Sequence, residues 1–199
     1  MTARSLATAP RPTKAQLITD VLEPKNWIIA TIALLGWGAD RLAGLGWAAF
    51  IALFAAVLPT LLIRYGIRRW SWTGRHLDIK RERLAALAFI TSSVATGVVL
   101  MIALGAPHKM TDYMIGMLAS AAVIAAITIA WKISVHCAVA SAGVLIVGLT
   151  FSPYALAGYA LVALVAWSRV ELRNHTPAQV IGGTFLGAIV AVLTYLAVN

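Results

Sequence analysis

Two short runs in this chain set cations, hydroxyls and imidazoles at the edges of apolar stretches. One is Ser168-Arg169-Val170-Glu171-Leu172-Arg173-Asn174-His175, and the other is Lys132-Ile133-Ser134-Val135-His136. A phosphoryl group needs cations and hydrogen-bond donors around its nonbridging oxygens, a nucleophile in line, and an acid for the leaving oxygen. Arginine, serine and two histidines supply all of these. Imidazole, with an unperturbed pKa of about 6.5, can act as nucleophile or as acid near neutral pH. Ionisable groups bordering a membrane core are functional candidates by default. The two runs therefore predict phosphate chemistry at a membrane surface.

The elements that must position these residues are apolar. Across 199 residues, 61% are hydrophobic and the mean hydropathy is +0.87, far above an ordinary soluble protein. Hydrophobic stretches fall at 27–43, 45–63, 84–105, 111–131, 137–151, 153–167 and 177–197. Several approach the ~20 residues a helix needs to cross a bilayer, and lipid cannot satisfy open backbone groups. The expectation is an all-α polytopic bundle of about six to seven membrane helices, occupying residues 26–199 behind a flexible basic tail at 1–25. The stretch 27–43 is interrupted by Gly36, Gly38, Asp40 and Arg41. Those at 137–151 and 153–167 are short, which leaves a tilted pair or a re-entrant hairpin open.

Alternating spans place the N-terminal tail, the 64–83 loop, the 131–136 junction and the 167–176 loop on one face. Of the sixteen Lys and Arg residues, all but Arg41 and Lys109 then lie there, as do His76, His136 and His175. Trp27, Trp70, Trp72, Trp131 and Trp167 border it as interfacial anchors. The charge bias makes this face cytoplasmic, in a plasma membrane of bacterial inner-membrane type. It also accounts for the net charge of +9 by topology and anionic headgroups instead of nucleic-acid binding. The single Cys137 excludes an internal disulfide, and no zinc-type Cys/His spacing is present.

The residues resemble the type 2 phosphatidic acid phosphatase superfamily, whose pattern is K-x6-R-P, then P-S-G-H, then S-R-x5-H-x3-D on one membrane face. Here the third box reads Ser168-Arg169, five residues, His175, three residues, Gln179. The second reads Ile133-Ser134-Val135-His136, and the first aligns as His76, six residues, Arg83-Leu84. The resemblance covers about 76–197. It implies that His175 is the nucleophile forming a phosphohistidine and that His136 is the general acid. It implies phosphate binding by Arg169, Ser134 and Arg83, with His76 standing where the family has lysine and Lys80 one helical turn further on. No metal or cofactor is implied. Gln179 replaces the family's aspartate: its carbonyl can orient the imidazole but brings no charge. Asp78 or Glu171 could compensate. Ile133 and Val135 replace proline and glycine, and Val135 stiffens a turn that glycine would leave permissive.

Other chemistries find less support. His76, His136 and His175 could hold zinc, but there is no HExxH motif or carboxylate cluster. A cysteine phosphatase built on Cys137 would want arginine at 143, which is Gly143. There is no nucleotide-binding Gly-x4-Gly-Lys loop. From a different class, a noncatalytic relative, a small transporter or an assembly subunit would use Gly182, Gly183 and Gly187 for close helix packing. The leading expectation is hydrolysis of a lipid or polyprenyl phosphate or diphosphate that arrives laterally from the bilayer.

Overall fold

The computed structural model describes residues 13–74, 77 and 79–199, and every regular element among them is helical. In order these are α1 (Lys14–Val21), α2 (Pro24–Ala52), a π-turn (Leu53–Val57), α3 (Leu58–Arg69), α4 (Lys80–Ala103), α5 (His108–Ala130), α6 (Val135–Thr150), a 3-10 segment (Pro153–Gly158), α7 (Tyr159–Glu171) and α8 (Pro177–Val198). Five helical stretches among the described residues are long and apolar enough to cross a membrane, and α6 is a shorter apolar helix. The protein is an integral membrane helical bundle.

The first of those stretches, Pro24–Arg69, is not one rod. Asp40 (φ −158°, ψ 47°) and Arg41 (φ 42°, ψ −120°) leave helical geometry inside α2. A Cβ on Gly36 would lie 2.5 Å from the Gly44 carbonyl oxygen. In a continuous helix residues eight apart are separated by about 12 Å, so the chain turns back at Asp40-Arg41. Backbone touches backbone there because neither Gly36 nor Gly44 has a side chain. Splitting this stretch gives two arms, and with the other four long helices and α6 there are seven apolar segments, matching the seven hydrophobic stretches of the sequence. Arg41 rests over the Trp37 ring at the tip, 5.0 Å from its centroid.

Helix α6 is short for a bilayer, about 24 Å at 1.5 Å per residue, yet it is the central helix. Buried positions occur all along it, from Cys137 and Ala138 through Ser141 and Val144 to Gly148. A helix wrapped by protein need not match the lipid thickness. It runs antiparallel to the next two elements: Gly148 meets Leu156, Gly158 meets Val144, and Ser141 Oγ bonds Tyr159 Oη at 3.0 Å. Against α8 the approach is closer. Added Cβ atoms on Gly183 and Gly187 would overlap the carbonyl oxygens of Ser134 and Ala138. These two glycines, four apart on one face, let the α8 backbone lie directly on α6. That matters for function because Ser134 lies in the second sequence run, at the start of α6, and α8 follows the third.

Within the segment expected as a tail, Lys14–Val21 is a helix. Thr13 and Gln16 form a reciprocal capping box at its start, which satisfies donors that would otherwise be orphaned. Ala15 and Thr19 are its buried face, and α1 packs on α7.

Candidate functional site

One end of the bundle gathers the starts of α2, α4, α6 and α8 with the ends of α3, α5 and α7. A cavity of about 350 Å³ opens among them. Arg83, Lys132, His136, Arg169 and His175 line one part of it. Leu35, Val94, Met117, Ile146 and Ala191 line another. It continues along α8 to Thr194, roughly 25 Å from the start of that helix at 1.5 Å per residue.

His175 ends the turn that joins α7 to α8. Its own N–H and that of Asn174 both donate to the carbonyl of Arg169, at 3.2 and 3.1 Å. Thr176 then caps α8: its Oγ1 accepts from the Gln179 N–H at 3.4 Å, and Gln179 Oε1 accepts from the Thr176 N–H at 3.1 Å. The same Oε1 lies 3.2 Å from His175 Nδ1. Because the Thr176 backbone N–H can only donate, it fixes oxygen at that end of the amide. His175 Nδ1 must therefore carry a proton, and Nε2 is left with the free lone pair. Burial, then the nearby charges of Arg169 and Lys132, push the His175 pKa down from 6.5 to about 4. The Gln179 bond opposes this, and Arg83 adds to the depression. At neutral pH the imidazole is uncharged, as a nucleophile requires.

Arg169 is 2% exposed, and a buried guanidinium needs partners. With its amide oxygen turned toward the arginine, Asn174 accepts from Nη2 at 3.0 Å and Nη1 at 3.3 Å. Sequence reasoning missed Asn174. Its position between Arg173 and His175 gave no sign that it would fold back on Arg169. Lys132, outside the residues the resemblance implies for phosphate binding, also lines the cavity, and its place in the second run was the available signal.

His136 is in the first turn of α6 and faces the same cavity. Ser134 serves differently. Fully buried, it caps α6 by accepting from the Cys137 N–H at 3.4 Å, and it is absent from the cavity lining. Its backbone N–H donates to the Gln179 carbonyl at 3.2 Å, tying the second run to the third. Arg83, on α4, donates from Nη1 to the Leu77 carbonyl at 3.2 Å. Lys80 is exposed at the start of α4 and does not line the cavity. His76 and Asp78 lie outside the described residues. Glu171 is exposed and borders a separate small cavity with Thr13 and Lys14.

The cavity thus joins a cluster of cations and two imidazoles to an apolar interior, an arrangement suited to an amphiphilic anion. A family model described as the PAP2 superfamily matches residues 130–199, the part holding Lys132, His136, Arg169, His175 and Gln179. No curated protein and no solved structure matches the chain.

Proposed function

We propose, from the PAP2-superfamily segment at residues 130–199, that this protein is a membrane phosphatase acting on a lipid or polyprenyl phosphate or diphosphate. The observation that carries the reading is the single cavity in which neutral His175 faces cations at one end and apolar side chains along the rest. The phosphate would sit among Arg169, Arg83 and Lys132, with the hydrocarbon chain extending between α4, α5, α6 and α8.

In the proposed reaction the Nε2 lone pair of His175 attacks phosphorus while the bond to the leaving oxygen breaks. His136, protonated, gives its proton to that oxygen. Nδ1 keeps its proton and its bond to Gln179, so the phosphohistidine ring carries a positive charge that a glutamine orients without neutralising. Neutral His136 then takes a proton from water as the water attacks phosphorus. The P–N bond breaks, releasing inorganic phosphate and restoring His175. The residues supply every role, and no metal is called for. The charge bias supports a cytoplasmic position for the basic face, and with it the site.

The test is phosphate release by the purified protein from a panel of lipid and polyprenyl mono- and diphosphates of long and short chain, with chelator present. Release that disappears in His175→Ala supports the reading. Activity on water-soluble phosphates alone removes the lipid substrate. No release from any member favours a noncatalytic relative.

A further inference from the structure

The N-terminal helix reaches the site through a pair of buried hydroxyls. Thr19 is 1% exposed and Ser168 is 0% exposed, and Thr19 Oγ1 donates to Ser168 Oγ at 3.0 Å. Ser168 Oγ in turn donates to the Val165 carbonyl at 2.8 Å. With the serine proton committed to Val165, the proton between the hydroxyls must come from threonine. Each buried hydroxyl would cost free energy without its partner, so the contact sets where α1 sits on α7.

Ser168 immediately precedes Arg169, which lines the cavity and whose carbonyl holds the N–H groups of Asn174 and His175. We propose that Thr19 is a positioning residue for the active site: through Ser168 it fixes the end of α7, and with it both Arg169 and the turn that presents His175. This rests on the phosphatase reading for its kinetic consequence, but the placement of the imidazole is a property of the fold alone. Both hydroxyls belong to the joint between α1 and α7, and Thr19 lies outside the family-matched segment. Displacement of a catalytic group by a fraction of an ångström lowers turnover more than binding. An amphipathic helix at the start of the chain is in this way a component of the catalytic end of the bundle.

The experiment uses the full chain in detergent, comparing wild type with Thr19→Val, Thr19→Ser, Ser168→Ala and the Thr19→Val/Ser168→Ala double variant. Thr19→Val keeps the shape and removes the donor. It is expected to lower kcat about tenfold with KM within about twofold. Thr19→Ser is expected to restore the rate, and the double variant to be no worse than the poorer single one, because the two groups form one contact. Imidazole nitrogen NMR signals of His175, assigned by their loss in His175→Gln, are expected to shift in Thr19→Val and return in Thr19→Ser. Wild-type kcat and unshifted His175 signals in Thr19→Val and Ser168→Ala overturn the proposal. If wild type hydrolyses no phosphate, the phosphatase reading fails, and the NMR comparison still decides the positioning role.

Discussion

His175 Nδ1 and Gln179 Oε1 are 3.2 Å apart, and the glutamine, third residue of α8, is held there by the capping box it forms with Thr176. The bond orients the ring and selects the tautomer, but it leaves the imidazole uncharged among Arg169, Lys132 and Arg83. A carboxylate at this position would favour the imidazolium, and so would raise the pKa from its value of about 4. If His175 is the nucleophile, as proposed, the acid limb of kcat/KM, where its protonation blocks attack, is expected to move to higher pH in Gln179→Asp. The rate near neutral pH should hold or rise, because a negative neighbour would stabilise the cationic phosphohistidine of the proposed mechanism. A pH–rate profile of wild type and variant checks both. An acid limb that stays in place would show that His175 is not the titrating group.

The same depressed pKa makes stability pH-dependent. Folded His175 titrates at about 4, whereas in the unfolded chain it would titrate near 6.5. Between those values the unfolded state binds more protons, so stability falls as pH drops from about 6.5 to about 4 and levels off below. The full effect is of order 3 kcal/mol, from roughly 1.4 kcal/mol per pKa unit. Thermal unfolding in detergent at pH 7 and pH 4.5 is expected to show a smaller loss in His175→Gln than in wild type. Equal losses would mean that the imidazole is not held neutral by the fold.

If His136 protonates the leaving oxygen, its importance must depend on how much help that oxygen needs. His136→Ala is expected to cut turnover of an alkyl phosphate by roughly 10²- to 10⁴-fold. A nitrophenyl phosphate, whose leaving group departs without a proton, should lose far less in the bond-breaking step, measured as the burst of nitrophenol in a single turnover. Uniform losses on both substrates would assign His136 to binding or structure instead.

The bundle was legible because burial in a membrane leaves continuous apolar runs, and the break at Gly36, Gly38, Asp40 and Arg41 became a reversal within helix α2. Spacing also served the third run, since five residues between Arg169 and His175 suffice to end one helix and start another. Contacts made only by folding were not legible. Ser134 reads as a phosphate ligand in sequence, yet its hydroxyl caps α6. Thr19 lies in a segment read as a tail, although Thr13-Lys14-Ala15-Gln16 carries the same Thr-x-x-Gln cap as Thr176-Pro177-Ala178-Gln179. Capping signals of this kind are local and readable. What α1 packs against is decided by tertiary geometry, which no local pattern records.

The α6–α8 contact gives a structural prediction that does not depend on substrate. An alanine methyl at Gly183 would overlap the Ser134 carbonyl, and one at Gly187 would overlap the Ala138 carbonyl. Both obstacles are backbone and cannot rotate aside, so the helices must separate, at a cost of roughly 1–3 kcal/mol per substitution. Separation at Gly183 also strains the bond from the Ser134 N–H to the Gln179 carbonyl, which links His136 to His175. Gly183→Ala is therefore expected to lose more activity than Gly187→Ala at a comparable drop in melting temperature. Gly46, with nothing within 4 Å of an added Cβ, provides the control: Gly46→Ala should leave both properties near wild type. Equal activity losses in Gly183→Ala and Gly187→Ala would show that packing alone, and not the tie between the two histidine-bearing segments, governs the site.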